Sequence, residues 1–375
     1  MSNRNHLNQE ERNRYSRHLV LPGFGEAAQL RLKESRVLIV GCGGLGNPVI
    51  AYLTAAGVGH LGLADHDVVE TSNLQRQVLF TNNDCGLSKA ALAAEKVKAL
   101  NPNVECSVYP FRITSSNALQ IAREYDVIAD CTDRLPARYL LNDVAVLTDK
   151  VLVHASVFRS EGHLAVFHGK LSDGRRSANY RDLFPEPPSA EAVMSCEEGG
   201  VLGALTGILG TMQAMEIIKV TTGYGEPLYN QLLVLDAFSM QSHTMRFSAR
   251  ADNPLNGEGP SQTGLIDYEL FCGTEPEKTM REITAAELKA MRDDGEPVLL
   301  IDVREPHEYA AKNLGGELIP LGEIPDSVDR IPKEGMVVVM CRAGVRSAHA
   351  IDYLSGTHGF TNLVNLRGGI LAWGE

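Results

Sequence analysis

The chain has 375 residues, of which 44% are hydrophobic and 22% charged, so its length suggests two or three domains with sizeable cores. Its formal net charge of -12 argues against nucleic acid as the main partner, because phosphate binding needs a clustered excess of Lys and Arg. The longest uncharged apolar stretch, residues 201–215, is shorter than the about 20 residues that span a bilayer. We therefore expect neither nucleic-acid nor membrane partners.

The N-terminal segment and the cysteines predict a cytoplasmic protein. The first 19 residues are polar and charged and lack the apolar core of a secretory signal. The seven cysteines are scattered and never spaced as Cys-x-x-Cys, which fits neither a disulfide framework nor a zinc knuckle. Any functional cysteine is expected to act as a thiol.

Short apolar runs alternate with helical stretches in the first half of the chain. The strand predicted at 37–40 is followed at once by a glycine turn and a helix at 47–56. Further strands are predicted at 60–64, 104–109 and 126–130, with a helix at 88–100. This rhythm is typical of a parallel sheet covered by helices, so the fold class is α/β.

The glycine turn alone leaves the ligand open. Gly41, Gly43 and Gly46 let a phosphate approach backbone amides at a helix N-terminus, for which NAD is the default ligand. Asp65, at the end of the next strand, can bind ribose hydroxyls. NAD and ATP both carry such a ribose.

Several motifs together resemble the MoeB/ThiF/HesA adenylyltransferases, relatives of ubiquitin-activating enzymes. They are RYSRHLVLPGFG, GCGGLG, DxDxVExSNLxRQ, GxxKA and a strand-ending CTD. The resemblance implies an adenylyltransferase domain over residues 1–250, with a Rossmann-like ATP-binding fold of the ubiquitin-activating type. The nucleotide-binding residues that it implies are Gly41, Gly43, Gly44, Gly46, Asp65, Asp67, Ser72, Asn73, Leu74, Gln75, Arg76, Lys89, Asp133 and Arg134.

Joining a carboxylate to the α-phosphate of ATP requires positive charge and a metal ion beside the triphosphate. The resemblance implies that Arg76 and Lys89 supply the charge, that Asn73 meets the phosphates and that Asp133 holds Mg²⁺. It also implies that Arg17 crosses a dimer interface into the partner's nucleotide site, which predicts a homodimer. The alternatives are solvated surface positions for these side chains and, for Asp133, a cap on the following helix.

A Pro-rich loop is predicted from residue 185 to a glycine-containing helix near residue 203. Cys196 in this loop matches the family cysteine proposed to form an acyl intermediate or mixed disulfide with the carrier, and the helix N-terminus after it would favour a thiolate. The alternative for Cys196 is a thiol packed in a core. Cys42 and Cys131 are expected to be small buried residues, not nucleophiles.

Many members of the resembled family bind a structural zinc through two Cys-x-x-Cys pairs. This chain has Asn179-Tyr180-Arg181-Asp182 at the first pair and later only Cys272, in DYELFCG. Four thiolate ligands cannot be assembled, so no zinc site is predicted. Both variants are similar to the MoeZ-like branch of the family, which carries a fused rhodanese domain.

The composition changes after about residue 250. Residues 251–280 are rich in Gly, Pro, Asn and acidic residues and are predicted to be a linker. A second, smaller α/β domain is predicted over residues 281–375, with a helix at 285–293, strands at 298–303 and 336–340, and a helix after Cys341.

Three segments of this second domain resemble a rhodanese: IDVREPHEY, VVVMCRAGVRS and LRGGILAW. Cys341 ends a buried strand, where successive amides of the following loop converge and stabilise an anion. Four residues separate Cys341 from Arg346, as in sulfur-transferring rhodaneses, whereas a phosphatase loop is longer. Cys341 is therefore expected to carry a persulfide, and its loop contains Arg342, Ala343, Gly344, Val345 and Arg346.

The two resemblances imply one function. ATP would adenylate the C-terminal glycine of a ubiquitin-like carrier that ends in Gly-Gly, similar to ThiS or MoaD, and the Cys341 persulfide would convert it into a thiocarboxylate. Thiosulfate or a cysteine desulfurase would donate the sulfur. The alternatives are an NAD-dependent oxidoreductase fused to a sulfurtransferase, in which Asn73, Arg76 and Lys89 have no task, and a non-catalytic carrier-binding scaffold.

Overall fold

A computed structural model describes residues 6–188, 200–257, 259–273, 281–295 and 298–374. The chain divides into two compact units, residues 1–275 and 276–375. Within the described ranges, no helix is both long enough and apolar enough to cross a membrane.

The centre of the first unit is an eight-stranded sheet. Its strands are β1 (Arg36–Val40), β2 (His60–Ala64), β3 (Glu105–Tyr109), β4 (Val127–Asp130), β5 (Val151–Phe158), β6 (Glu161–Phe167), β7 (Gln231–Asp236) and β8 (Gln241–Arg246). They lie in the order β3-β2-β1-β4-β5-β6-β7-β8, parallel as far as β5 and antiparallel beyond it. Chain direction across the sheet reverses between β1 and β4, which makes their carboxyl ends a topological switch point.

Helices cover both faces of this sheet. They are α1 (Gln9–Arg14), α2 (Ser16–Leu19), α3 (Gly25–Glu34), α4 (Gly46–Ala56), α5 (Lys89–Leu100), α6 (Ala118–Ala122), α7 (Leu135–Leu147), α8 (Tyr180–Leu183), α9 (Gly203–Thr222) and α10 (Tyr268–Phe271). Alternate residues of β1 enter different cores: Val37 and Ile39 pack with α3, α4, α5 and α9, whereas Leu38 packs with α6 and α7. The strand is uniformly apolar because both of its faces are buried.

The second unit contains a five-stranded parallel sheet. Its strands are β9 (Glu282–Ile283), β10 (Leu299–Asp302), β11 (Glu317–Leu318), β12 (Val337–Met340) and β13 (Leu363–Leu366), and its helices are α11 (Ala285–Asp293), α12 (Pro306–Ala311) and α13 (Val345–His358). The strand order is β11-β10-β12-β13-β9. The central strand β12 is fully buried and leads directly into Cys341.

Every strand and bounded helix predicted from the sequence is present within one residue of its predicted limits. The linker differs: residues 251–273 belong to the first unit, and the division falls at residue 275 instead of about 250. Leu255, Tyr268 and Cys272 are buried, and the Tyr268 hydroxyl donates to Asp143 Oδ2 at 2.8 Å. Buried side chains and side-chain hydrogen bonds hold this segment in place, although its sequence lacks hydrophobic periodicity.

Four polar side chains, which we call the amide cluster, join residues 179–182 to residues 253–256. Asp182 Oδ1 accepts hydrogen bonds from the side-chain amides of Asn253 and Asn256, each at 2.8 Å. Asn253 also donates to Asn179 Oδ1 at 3.1 Å, and Asn179 donates to Asn256 Oδ1 at 3.0 Å. The cluster holds part of the predicted linker against the first unit.

Candidate functional site

The glycine turn lies against the end of β4. The Gly41 amide donates to the Ala64 carbonyl at 2.8 Å, and Gly41 has a φ of +96°. A Cβ atom at Gly41 would lie 2.6 Å from the Cys131 carbonyl oxygen, and one at Gly46 would overlap the Gly41 carbonyl. Glycine is therefore required at both positions because of close backbone approach, and the turn adjoins the loop after Cys131.

Asp65 organises the loop after β2. Its carboxylate accepts the amides of Cys42 at 2.7 Å and Asp67 at 2.8 Å, which ties the glycine turn to this loop. Burial raises the pKa of Asp65. The buried Lys89 pairs with Asp67 at 2.9 Å; burial opposes ionisation of Asp67, but Lys89 outweighs it and lowers the pKa of that carboxyl.

Residues 72–77 form a second wall beside the glycine turn. Asn73 is buried and donates to Ser72 Oγ at 3.3 Å, and Arg76 donates to the Ser72 carbonyl at 3.1 Å. Gln75 is exposed, but its carbonyl directly abuts Gly203 at the start of α9. Leu74 packs on a small apolar cluster with Val69, Phe80 and Leu92.

The loop 131–134 presents an unpaired carboxylate. Asp133 is exposed, and within the described part of the chain its side chain has no hydrogen-bond or ionic partner. The N-cap of α7 is Arg134, and no side chain caps this helix, so the capping alternative for Asp133 is not observed. Arg134 pairs with Glu269 at 3.2 Å. A separate group, Asp65, His66 and Asp67, offers three potential metal ligands within 4.8 Å of one another.

Cys42 and Cys131 lie in the core, as expected from the sequence. Burial raises the pKa of both thiols well above the ordinary value, which disfavours a nucleophilic thiolate. Cys196 lies outside the described residues.

Arg17 is exposed on α2 and lies far from the glycine turn of its own chain. Its neighbour Tyr15 packs against Gly57, which ends α4, and His18 contacts Gln29, whose amide donates to the Ala56 carbonyl. The glycine turn lies at the opposite end of this 11-residue helix, which is about 16 Å long. The structure therefore does not bring Arg17 to the other predicted nucleotide-binding residues.

In the second unit, Cys341 lies at the start of a short loop between β12 and α13. Its Sγ is buried and accepts the Gly344 amide at 3.1 Å and the Ser347 hydroxyl at 3.4 Å. Gly344, with a φ of +90°, caps α13, and Asn365 braces the loop by donating to the Gly344 carbonyl at 3.0 Å. The loop thus directs hydrogen-bond donors at the sulfur, which stabilises negative charge there.

The two arginines of this loop differ in their surroundings. Arg342 is exposed, as is Ala343. Arg346 forms two hydrogen bonds of 2.7 Å with the carboxylate of Glu308, which lies on α12. The hydrogen bond from Arg346 holds the pKa of Glu308 at about 2. Part of the positive charge that the sequence assigned to the persulfide is therefore offset by Glu308.

A model of the ThiF family matches residues 15–256, more than half of the chain. The chain belongs to the ThiF family. A model of the rhodanese-like domain matches residues 284–375. The predicted combination of an adenylyltransferase-type domain with a C-terminal rhodanese domain is confirmed.

Several proteins resemble this ThiF-family chain over most of its length. The probable adenylyltransferase/sulfurtransferase MoeZ of Mycobacterium tuberculosis is 42% identical over 98% of this chain and 94% of that protein. The adenylyltransferase and sulfurtransferase MOCS3 of Mus musculus is 40% identical over 98% of this chain and 86% of that protein. The crystal structure of E. coli MccB matches with a TM-score of 0.58 and 23% identity, over 67% of this chain and 74% of that chain, which supports the fold.

Sequence reasoning missed several residues of this ThiF-family chain that contact the candidate sites. Thr206 packs against Gly44, and Gln77 is buried beside Gly43 with its Oε1 lacking a hydrogen-bond partner among the described residues. Gln77 stands directly after Arg76 in the quoted motif, so the motif itself could have indicated it. Glu308 lies within the quoted segment IDVREPHEY, but nothing in that segment indicates its pairing with Arg346. Asn365 lies outside the quoted segments, and no local pattern indicates it.

The Glu308 pair predicts a pH dependence. Because its pKa falls from an ordinary 4.5 to about 2 on folding, the ionised carboxylate stabilises the second unit above pH 4.5, and this contribution is lost as the pH falls towards 2. We expect Glu308→Gln to lower the unfolding midpoint at pH 6 and to differ much less from the wild type at pH 3. Fluorescence of Trp373, the single tryptophan, reports on this unit. Glu334→Gln, at an exposed site, is the control; equal differences at both pH values would contradict the prediction.

Proposed function

We propose that the first unit adenylates the C-terminal glycine of a ubiquitin-like sulfur carrier and that the second unit supplies sulfur from a Cys341 persulfide. The enzyme is an adenylyltransferase and sulfurtransferase. The observation that carries this conclusion is that the full-length relatives bearing both activities in their names match 98% of the chain. The Gly344 amide and the Ser347 hydroxyl, both directed at Cys341, support the sulfur step, and the loops around the glycine turn support adenylation.

In the adenylation step, a carboxylate oxygen of the carrier attacks the α-phosphorus of ATP, and the bond to the β-phosphate bridge breaks to release pyrophosphate. The glycine turn would receive phosphates on its amides, and Asp65 would bind the ribose. Lys89, Arg76 and Asn73 would offset the developing negative charge. NAD chemistry is less favoured because it gives these three side chains no task.

A divalent cation fits the loop after β4. Asp133 offers an exposed carboxylate free of side-chain partners among the described residues, and Mg²⁺ prefers such oxygen ligands. Asp67, in contrast, is already paired with Lys89. We therefore assign Asp133 as the Mg²⁺ ligand; the ion would neutralise phosphate charge.

In the sulfur step, the terminal sulfur of the Cys341 persulfide attacks the adenylate carbonyl and AMP leaves, so that the carrier is bound as an acyl disulfide. A thiolate, for which Cys196 is the candidate from the sequence, then attacks the Cys341 sulfur. This breaks the S–S bond, releases the carrier thiocarboxylate and leaves a disulfide that an external thiol must reduce. Such chemistry suits the reducing cytoplasm. Thiosulfate or a cysteine desulfurase would recharge Cys341.

The amide cluster supports a first unit that needs no zinc. Asn179 and Asp182 occupy the segment where many members of the family are expected to carry the first cysteine pair of a zinc site. Both are joined to Asn253 and Asn256 by direct hydrogen bonds. We expect elemental mass spectrometry to find well under one zinc per chain in the purified protein. We also expect a chelator to leave the unfolding midpoint unchanged. A stoichiometric zinc that survives dialysis would contradict this proposal.

Lys89→Ala tests the nucleotide site. It should reduce carrier-dependent ATP–pyrophosphate exchange by about 100-fold or more, because a buried cation facing the triphosphate is lost. Thiosulfate:cyanide sulfurtransfer should not change, since that chemistry belongs to the second unit. Lys98→Ala, on the same helix and exposed, is the matched control and should retain both activities. Loss of both activities in a folded Lys89→Ala protein would sink the two-site assignment.

Arg17 tests the dimer. Because it lies about a helix length from its own glycine turn, we assign it to the nucleotide site of a partner subunit. Mixed Arg17→Ala and Lys89→Ala subunits should recover part of the exchange activity, since one of the two sites in a mixed dimer retains both side chains. Mixed Asp133→Ala and Lys89→Ala subunits form no intact site and should recover none. Absence of recovery despite demonstrated subunit exchange would argue against Arg17 acting across an interface.

Cys341→Ala tests the sulfur source. It should leave adenylation intact but prevent thiocarboxylate formation with thiosulfate as donor, because the persulfide-bearing atom is gone. Mass spectrometry of a co-purifying carrier that ends in Gly-Gly detects the product, since sulfur in place of oxygen adds about 16 Da. Cys85→Ala, at an exposed thiol, is the control. Thiocarboxylate formed at the wild-type rate by Cys341→Ala would show that the second unit is not the source.

A further inference from the structure

Two buried side chains meet directly behind the loop that carries Asp133. Asp130 is the last residue of β4, and it lies opposite His154 of β5 in the parallel register. His154 Nδ1 donates to Asp130 Oδ2 at 2.7 Å. Both residues are at most 2% exposed, so this is a fully buried carboxylate–imidazole pair at the carboxyl edge of the sheet.

The second carboxylate oxygen of Asp130 holds the loop itself. Asp130 Oδ1 accepts the Thr132 amide at 3.0 Å and the Thr132 hydroxyl at 2.6 Å. Asp133 follows immediately. The direction in which the loop leaves the strand is therefore determined by one carboxylate group, whose own orientation depends on what binds its other oxygen.

His154 is suited to orient that group. Burial opposes the charge on both partners and lowers the pKa of His154. For Asp130, the hydrogen bond and charge of His154, the charge of Arg138 and the hydrogen bond from Thr132 together outweigh burial and lower its pKa. The pair is thus an ionised carboxylate with a neutral imidazole, which donates from Nδ1. The imidazole ring contacts Tyr180 at 5.3 Å and Phe167 at 6.1 Å between centroids, so its orientation is restricted.

The main chain at the same point is held separately. Gln213 of α9 donates its side-chain amide to the carbonyls of Asp130 at 2.8 Å and Val153 at 2.9 Å. The backbone of β4 therefore has its own support, and the role left to His154 is to set the rotamer of the Asp130 side chain. A buried carboxylate that loses one of its donors would turn towards another and release Thr132.

We propose that His154 is a positioning residue for adenylation, acting through Asp130 and Thr132 to fix the loop that presents Asp133. The expected effect on adenylation rests on the proposed function. The effect on the order of loop 131–134 follows from the contacts alone and does not depend on any activity. His154 touches neither the glycine turn nor Asp133 in the contacts described, so it is not a catalytic residue.

The test compares three variants in the full chain. His154→Phe keeps a ring of similar shape but removes the donor. His154→Asn keeps an N–H donor at the δ position. His60→Phe is the control for loss of stability alone. It removes another buried histidine, which begins β2 at the amino-terminal end of the parallel strands and hydrogen-bonds to Ser107.

Amide hydrogen exchange without nucleotide gives the first readout. In His154→Phe, the peptide containing Thr132 should exchange at least about tenfold faster, whereas the peptide containing Cys42, whose amide is held by Asp65, should not change. His154→Asn and His60→Phe should retain wild-type exchange at Thr132. If the Thr132 peptide of folded His154→Phe exchanges like the wild type, the inference is wrong.

Kinetics give the second readout. His154→Phe should lower kcat of ATP–pyrophosphate exchange about tenfold or more with KM for ATP changed less than about twofold, because a misplaced loop affects the reacting geometry. His154→Asn should restore kcat, and equal losses in His154→Phe and His60→Phe would overturn the proposal.

Should His154→Phe not fold, Thr132→Val removes only the hydroxyl contact and should lower kcat severalfold; an unchanged kcat would again overturn it. A wild-type protein without carrier-dependent exchange would refute the proposed function, while the amide exchange would still decide the positioning role.

Discussion

Parallel strands end at a common edge of their sheet, and both candidate sites of this protein depend on that constraint. In the first unit, β1 and β4 end side by side, so the glycine turn after one strand contacts the loop after the other through Gly41 and Cys131. In the second unit, the central strand β12 delivers Cys341 to the start of α13. At each edge, main-chain amides gather beside a helix N-terminus, where negative charge is stabilised.

At each of the two sites, one of the assigned cations already has a carboxylate partner. Lys89 is paired with Asp67, and Arg346 with Glu308. An incoming phosphate or persulfide therefore competes with a carboxylate that is already bound to the cation. The net free energy of binding is the difference between the new ion pair and the one that it replaces. The resident partner also keeps a buried or half-buried cation from being left without a counter-charge. Arg342 and Arg76 have no such carboxylate partner among the described residues, so an anion binding to them displaces no carboxylate.

Buried polar groups provide much of the order around the first site. The amide cluster joins two turns that lie 71 residues apart along the chain at Asp182 and Asn253. The Asp130–His154 pair and Gln213 together fix the side chain and the main chain at the end of β4. Each of these networks satisfies donors and acceptors in a low-dielectric interior, where an unpaired group would be costly. They specify positions that apolar packing alone leaves free.

The strands and helices, the glycine turn, the family and the rhodanese loop could all be predicted from the sequence. Hydrophobic periodicity, glycine spacing and the spacing from Cys341 to Arg346 are local patterns that need no knowledge of the fold. Prediction from the sequence failed for residues 251–273, which have no periodicity. Three relations became visible in the folded chain: Arg17 lies away from its own glycine turn, Glu308 offsets Arg346, and His154 holds Asp130. These relations depend on strand register and helix placement, which bring together residues that no local spacing connects.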